Sequence, residues 1–164
     1  MNTMPKAQPM DLPAPAAWDT DLVEVYRLHY GRLVRLAYLL TGQNAVAEEI
    51  VQDSFVAAHR LDRRLRDPYP YVRRAVVNRC RSWGRRYSLE RAHRPRPPDP
   101  AELAVDEMWD SLTALTDRQR IAIVLRFYED MPDDRIAEIL GCRQATVRSA
   151  IHRGLLTLRR VIHL

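Results

Sequence analysis

Arg143, Gln144, Thr146, Arg148, Ser149, His152 and Arg153 fall within one short stretch, CRQATVRSAIHR. On a helix these types give an outer face of forked and paired donors. Arginine and glutamine pair bidentately with guanine and adenine edges in the major groove of duplex DNA. Arg153 and Arg160 suit phosphates, which position a protein without specifying sequence. A second set, Arg74, Asn78, Arg81 and Arg85, recurs at i, i+4, i+7 and i+11 and so shares a helix face. Tyr69 and Tyr71 precede it in a proline-containing segment. Aromatic rings stack on unpaired bases while arginines hold the backbone, so this set suits single-stranded nucleic acid. Trp83 and Tyr87 lie in the same segment, but their spacing places them with the core. A third set is acidic. Glu48, Glu49, Gln52 and Asp53 surround Val56, and an apolar residue inside a charged face suits a protein partner.

The elements that carry these sets read as helices throughout, with no alternating strand pattern. The spacing predicts a helix from about Asp21 to Leu40, with Asp21 and Glu24 resembling a capping box and Gly42 stopping it. A second helix is expected from about Ala45 to Leu61, capped by Asn44, with Ala47, Ile50, Val51, Ser54, Phe55, Ala58 and Leu61 inward. Asp67 and Pro68 open a third that runs to about Arg91. Val72, Ala75, Val76, Cys80, Trp83 and Tyr87 form its inward stripe. The segment HRPRPPDP, residues 93–100, holds four prolines, which forbid a helix and favour an extended linker. Beyond it, helices are expected at about 101–114, at Asp117–Tyr128 behind a Thr116 cap, at 133–140 and at about 143–162. In the last of these Val147, Ile151, Leu155, Leu158 and Ile162 read as core. The pair 133–140 and 143–162, hinged at Gly141, has the form of a helix-turn-helix, because glycine permits the positive φ of the turn.

The chain of 164 residues has a net charge of +5, and 25 of its 26 basic residues are arginine. Nine arginines lie between 71 and 96 against Glu90 alone, a local positive field of the kind that meets phosphate backbones. No apolar run is long enough to span a membrane. The N-terminus lacks the charged start and apolar block of a secretory signal, and its Pro and Ala content predicts a disordered leader over 1–20. Cys80 and Cys142 are 62 positions apart and are expected as reduced thiols. The five histidines show no metal-ligand spacing. No phosphate-cradling glycine loop or GxSxG is present. No catalytic set, metal or cofactor is expected.

YRLHYGRLVRLAYLLTGQNAVAEEIVQDSFVAAHR, YPYVRRAVVNRCRSWGRR and LRFYEDMPDDRIAEILGCRQATVRSAIHRGLLTLRR, in this order and spacing, resemble the extracytoplasmic-function group of bacterial sigma factors. The resemblance implies an all-α chain of two small helical domains. Sigma2 would occupy 21–92, a linker 93–106, and sigma4, with the helix-turn-helix, 107–164. It implies a cytoplasmic protein that directs promoter-specific initiation with core RNA polymerase and is itself no enzyme. Glu48, Glu49, Gln52, Asp53 and Val56 would dock on the beta-prime clamp, and sigma4 on the beta flap. Tyr69, Tyr71, Arg74, Asn78, Arg81 and Arg85 would recognise and open the minus-ten element. Arg143, Gln144, Thr146, Arg148, Ser149, His152 and Arg153 would meet minus-thirty-five DNA. An anti-sigma factor is implied as a further partner. Pro132 and Arg143 stand where the family commonly caps its helices with Ser or Thr. Ala150 stands where Arg often follows the recognition-helix Ser. Ser82 replaces a carboxylate, and Gly84 costs about 1 kcal/mol of helix stability relative to Ala. The alternative is a stand-alone helix-turn-helix regulator, which would leave the acidic face and the Arg–Tyr segment without a task.

Overall fold

The structure, a computed structural model, describes residues 20–61, 65–93 and 107–162. These form α1 (Thr20–Thr41), α2 (Asn44–His59), α3 (Pro68–His93), α4 (Glu107–Thr113), α5 (Asp117–Phe127), α6 (Asp133–Leu140) and α7 (Gln144–Val161), with no strand among the described residues. The expected leader, except for Thr20, lies outside them, as does the proline segment after His93. Packing divides the chain into two units, residues 1–80 and 81–164, and the division falls inside α3.

In the first unit, Gly42 takes φ 73° and its N–H donates to Tyr38 O at 2.7 Å, which ends α1 and starts the turn toward α2. Leu33, Leu36 and Ala37 of α1 and Val51 and Phe55 of α2 have no exposed surface. Val72, Val76 and Val77 of α3 are equally buried. Tyr26 meets the Phe55 ring edge-on at 5.1 Å. Truncating a buried Phe costs about 3–5 kcal/mol, so Phe55 is the largest single anchor of this core. Ser54 is buried without cost to its hydroxyl, which donates to Ile50 O at 2.7 Å.

The start of α3 follows its sequence. The Tyr69 N–H donates to Asp67 Oδ1 at 3.1 Å, so Asp67 caps and Pro68 takes the first position, where the missing N–H costs nothing. Other expectations need correcting. Asn44 is the first residue of α2, while Gln43 is the N-cap and makes no side-chain cap bond. Asp21 sits within the first turn of α1, which begins at Thr20. Trp83 and Tyr87 are half-exposed. They continue the stripe of Val72, Val76 and Cys80, but Cys80 is the last residue of that stripe that is buried.

In the second unit, Thr116 forms a full capping box with Gln119 at the start of α5. Arg120 is turned to structural use. Its Nε donates to Leu112 O at 3.0 Å and its Nη2 to Leu115 O at 3.3 Å, and its guanidinium lies 5.1 Å from the Trp109 ring centroid. The Leu112 carbonyl, in the last turn of α4, also accepts from the Leu115 N–H at 3.2 Å, and Leu115 follows the helix, so Arg120 closes the turn between α4 and α5. Ile121–Leu125, Met131, Ile136, Ala137 and Leu140 form the core with Val147, Ala150 and Gly154 of α7.

The stripe expected on α7 is rotated from the observed one. Val147 is buried, but Leu155 and Ile162 are 43% and 48% exposed. The inward line runs through Val147, Ala150 and Gly154, roughly 60° away at about 100° per residue. The cause is close approach. A β-carbon built on Gly154 would lie 2.6 Å from Ile123 Cδ1 and 3.3 Å from Gln119 Cβ. α7 therefore meets Ile123 and Gln119 of α5 through its own small residues.

Candidate nucleic-acid and protein interfaces

The helix-turn-helix forms as its glycine requires. Gly141 takes φ 63° and ψ 40°, the left-handed conformation that ends α6. Its N–H donates to Glu138 O at 3.4 Å, and the Cys142 N–H donates to Ala137 O at 3.0 Å. These bonds satisfy carbonyls left open at the helix end. Arg143 then caps α7 by backbone conformation alone, with φ −79° and ψ 151° and no side-chain cap. The Thr146 N–H donates to Arg143 O at 2.9 Å.

With Val147, Ala150 and Gly154 inward, the opposite face of α7 is set. Gln144, Arg148, Ser149, His152 and Arg153 are exposed, as is Arg143 before them. Thr146 is half-buried on the flank. Three of these side chains are held by neighbours. Arg148 Nη2 donates to Gln144 Oε1 at 3.3 Å, and Arg148 Nε lies 3.5 Å from Asp133 Oδ2. Arg153 Nε donates back to Ser149 O at 3.3 Å. The fold thus brings six of the seven predicted groups to one exposed surface and sets Thr146 at its edge.

On α3, Arg74, Asn78 and Arg85 are exposed and Arg81 is half-buried. The division between packing units passes between Asn78 and Arg81, but one continuous helix carries all four. Arg85 Nη2 donates to Ser82 Oγ at 3.2 Å. Tyr69 and Tyr71 are half-buried. The Tyr69 ring is held between elements: its centroid is 4.2 Å from that of His29 on α1, and the Arg73 guanidinium lies 5.2 Å from it. Trp83 and Tyr87, assigned to the core by spacing, instead stack on each other at 4.8 Å and 15° with part of their surface exposed. They therefore add apolar faces beside the arginines of α3. Their separation of four positions, about one turn of helix, is the signal for such a pair.

The acidic set on α2 separates into two groups. Glu49, Asp53 and Val56 are exposed, the valine at 37%. Glu48 and Gln52 are half-buried against α1. The Gln52 side chain hydrogen-bonds the Tyr30 phenol, whose pKa is raised chiefly by burial, with the Glu48 charge adding to the rise. Asp53 lies 3.9 Å from Arg79 Nη1 of α3. Both of those side chains are well exposed, so the pair contributes only about 0–1 kcal/mol.

An all-α chain with a helix-turn-helix at α6–α7 and a basic, aromatic face along α3 has the surfaces of a nucleic-acid-binding protein. Comparison with known proteins makes the class specific. The family model for sigma-70 region 2 matches residues 25–90, and that for sigma-70 region 4 matches residues 106–158. The RNA polymerase sigma-E factor of Streptomyces avermitilis is 31% identical over 148 residues, covering 83% of this chain and 82% of that protein. The ECF RNA polymerase sigma factor SigE of Mycolicibacterium smegmatis is 30% identical over 168 residues, 91% of this chain and 63% of that one. The fold matches the sigma factor RpoE of Bartonella quintana, solved with the anti-sigma factor NepR, at a TM-score of 0.69. That match has 20% identity and covers 89% of this chain and 99% of that one.

The chain belongs to the extracytoplasmic-function group of the sigma-70 family. It is an RNA polymerase sigma factor that directs promoter-dependent initiation, with core RNA polymerase and promoter DNA as its partners. The stand-alone regulator is not favoured. Among the described residues no helix is long and apolar enough to cross a membrane.

Proposed function

We propose that the two surfaces divide the work of promoter recognition. The domains follow the sequence reading, with sigma2 over 21–92, a linker over 93–106 and sigma4 over 107–164. In sigma4, α7 enters the major groove of minus-thirty-five DNA. Arg143, Gln144, Arg148, Ser149 and His152 meet base edges, while Arg153 meets phosphate and Thr146 the groove wall. The observation that carries this is the orientation of α7, with Val147, Ala150 and Gly154 inward and the polar set exposed.

In sigma2, α3 holds opened minus-ten DNA. Arg74, Asn78, Arg81 and Arg85 line the strand, and Tyr69 and Tyr71 offer faces to unstacked bases. Unstacking costs a few kcal/mol, and each base stacked on an aromatic ring returns about 1–3 kcal/mol. Capture therefore favours the open state without a nucleotide-driven step. Glu48, Glu49, Gln52, Asp53 and Val56 dock on the beta-prime clamp, and sigma4 on the beta flap. The chain acts in the cytoplasm as a specificity subunit, with no chemistry of its own. An anti-sigma factor that covers both surfaces would silence it. Support for such a partner comes from the Bartonella sigma factor, which is held in complex with the anti-sigma factor NepR.

Run-off transcription with purified core polymerase tests this reading. A promoter-dependent product is expected, lost on Arg74→Ala with Asn78→Ala and weakened by Gln144→Ala with Arg148→Ala. Full activity of both variants would overturn the assignment.

A further inference from the structure

Asp133 is the first residue of α6, behind a Pro132 N-cap that offers no side-chain acceptor. A carboxylate there is favoured by the helix dipole, which alone would explain an acidic residue. Asp134 satisfies the same need one position on and is exposed. Asp133 differs in what it touches. It is 27% exposed, with Oδ2 3.5 Å from Arg148 Nε on α7 and Oδ1 4.0 Å from Arg126 Nε on α5. Arg126 is tethered in turn, since its Nη1 donates to Met131 O at 3.4 Å. The carboxylate thus links the helix before the turn to an outward arginine of the helix after it.

Arg148 is held at two points. Asp133 takes the Nε side, and Gln144 Oε1 accepts from Nη2 at 3.3 Å. The Nη1 end takes no part in either contact. A guanidinium reads guanine with two donors in a fixed plane, so fixing that plane before DNA arrives decides which base step it reaches. The carboxylate also repels phosphate, which discourages Arg148 from settling on the backbone instead of a base edge. Exposed ion pairs contribute little to stability, so the contact matters through orientation.

We infer that Asp133 is a positioning residue for sequence reading by α7, holding Arg148 in the plane and reach needed for one base pair of the promoter. The inference rests on α7 being the base-reading helix. Asp133 itself does not touch DNA. Losing it relaxes the choice of base at the position read by Arg148 and leaves other positions unchanged.

The test uses full-length protein in holoenzyme, with selection from duplex promoters randomised upstream of a fixed start site. Wild type, Asp133→Asn, Asp133→Glu, Arg148→Ala and Asp134→Asn are compared. The expected result is a loss of preference at one base pair in Arg148→Ala, and a loss of about three- to ten-fold at the same pair in Asp133→Asn. Asp133→Glu, which keeps the charge, recovers part of it, and Asp134→Asn matches wild type. If Arg148→Ala loses a preference that Asp133→Asn retains, the positioning role is wrong while the reading of α7 stands. If Arg148→Ala changes no preference, Arg148 reads no base and the positioning role fails, and if wild type itself shows no upstream preference the reading of α7 fails with it. Should Asp133→Asn lower the melting temperature, Asp133→Ser replaces it, since serine serves well at a helix start. The same two criteria then apply.

Discussion

Gly154 of α7 and Ile123 of α5 meet so closely that a β-carbon on the glycine would lie 2.6 Å from Ile123 Cδ1. This contact fixes the rotation of α7, and with it the set of side chains that the helix turns outward. Gly154→Ala gains about 1 kcal/mol of helix propensity but must displace the buried Ile123 methyl. Ile123→Val removes that methyl. Denaturant titration of the four proteins in the cycle is expected to show a favourable coupling of at least about 0.5 kcal/mol between the two changes. Strict additivity would show that the close approach does not govern packing. Gly154→Leu, with no such relief, should lose about 1–3 kcal/mol or more through overpacking.

Charge reversal on α2 separates docking from folding. Glu49 is exposed and Asp53 makes only the long surface pair with Arg79. Glu49→Arg with Asp53→Arg should therefore leave the far-ultraviolet circular dichroism spectrum intact. The expected loss of affinity for core polymerase is at least about tenfold, or ~1.4 kcal/mol. Binding titration of labelled protein measures it, and unchanged affinity would remove these residues from the interface.

The two cysteines should differ in reactivity. Cys80 is 3% exposed, and burial pushes its thiol up to about 12. Cys142 is half-exposed in the turn. Iodoacetamide at pH 8 should label Cys142 in the native protein and reach Cys80 only on unfolding, as read by peptide mass spectrometry. Equal labelling at both sites would contradict the burial. The same shift sets a pH dependence of stability. Below pH about 9, the ordinary thiol value, Cys80 is protonated in both states and adds no pH dependence. Between about 9 and 12 the native state retains a proton that the unfolded state has released, so stability falls as pH rises.

Much of the fold is legible in the sequence because its signals are local. Gly141 between two amphipathic runs specifies the turn, Thr116 the cap of α5, and Asp67–Pro68 the start of α3. What escapes is tertiary. Spacing favours the large side chains of α7 as core, yet the small Ala150 and Gly154 face inward because α5 comes so near. Leu155 and Ile162 are displaced outward as a result. Trp83 and Tyr87 keep the period of the α3 core but lie beyond its last buried residue, Cys80. Gln52 reads as docking surface, though it also bonds Tyr30. Asp133 reads as a helix-start residue, though it also pairs with Arg148. No spacing rule reports a partner on another helix.

Within one holoenzyme, α3 and α7 are expected to grip promoter DNA at two separate places. Footprinting with combined hydroxyl-radical and permanganate probes on a promoter distinguishes two grips from one. Wild type should protect two separated stretches and render thymines reactive only in the downstream one. Arg74→Ala with Asn78→Ala should abolish the thymine reactivity and keep upstream protection, while Gln144→Ala with Arg148→Ala should weaken the upstream protection first. A single continuous footprint erased equally by either pair, or the same footprint from the chain without core polymerase, would show that the two helices do not grip separate elements.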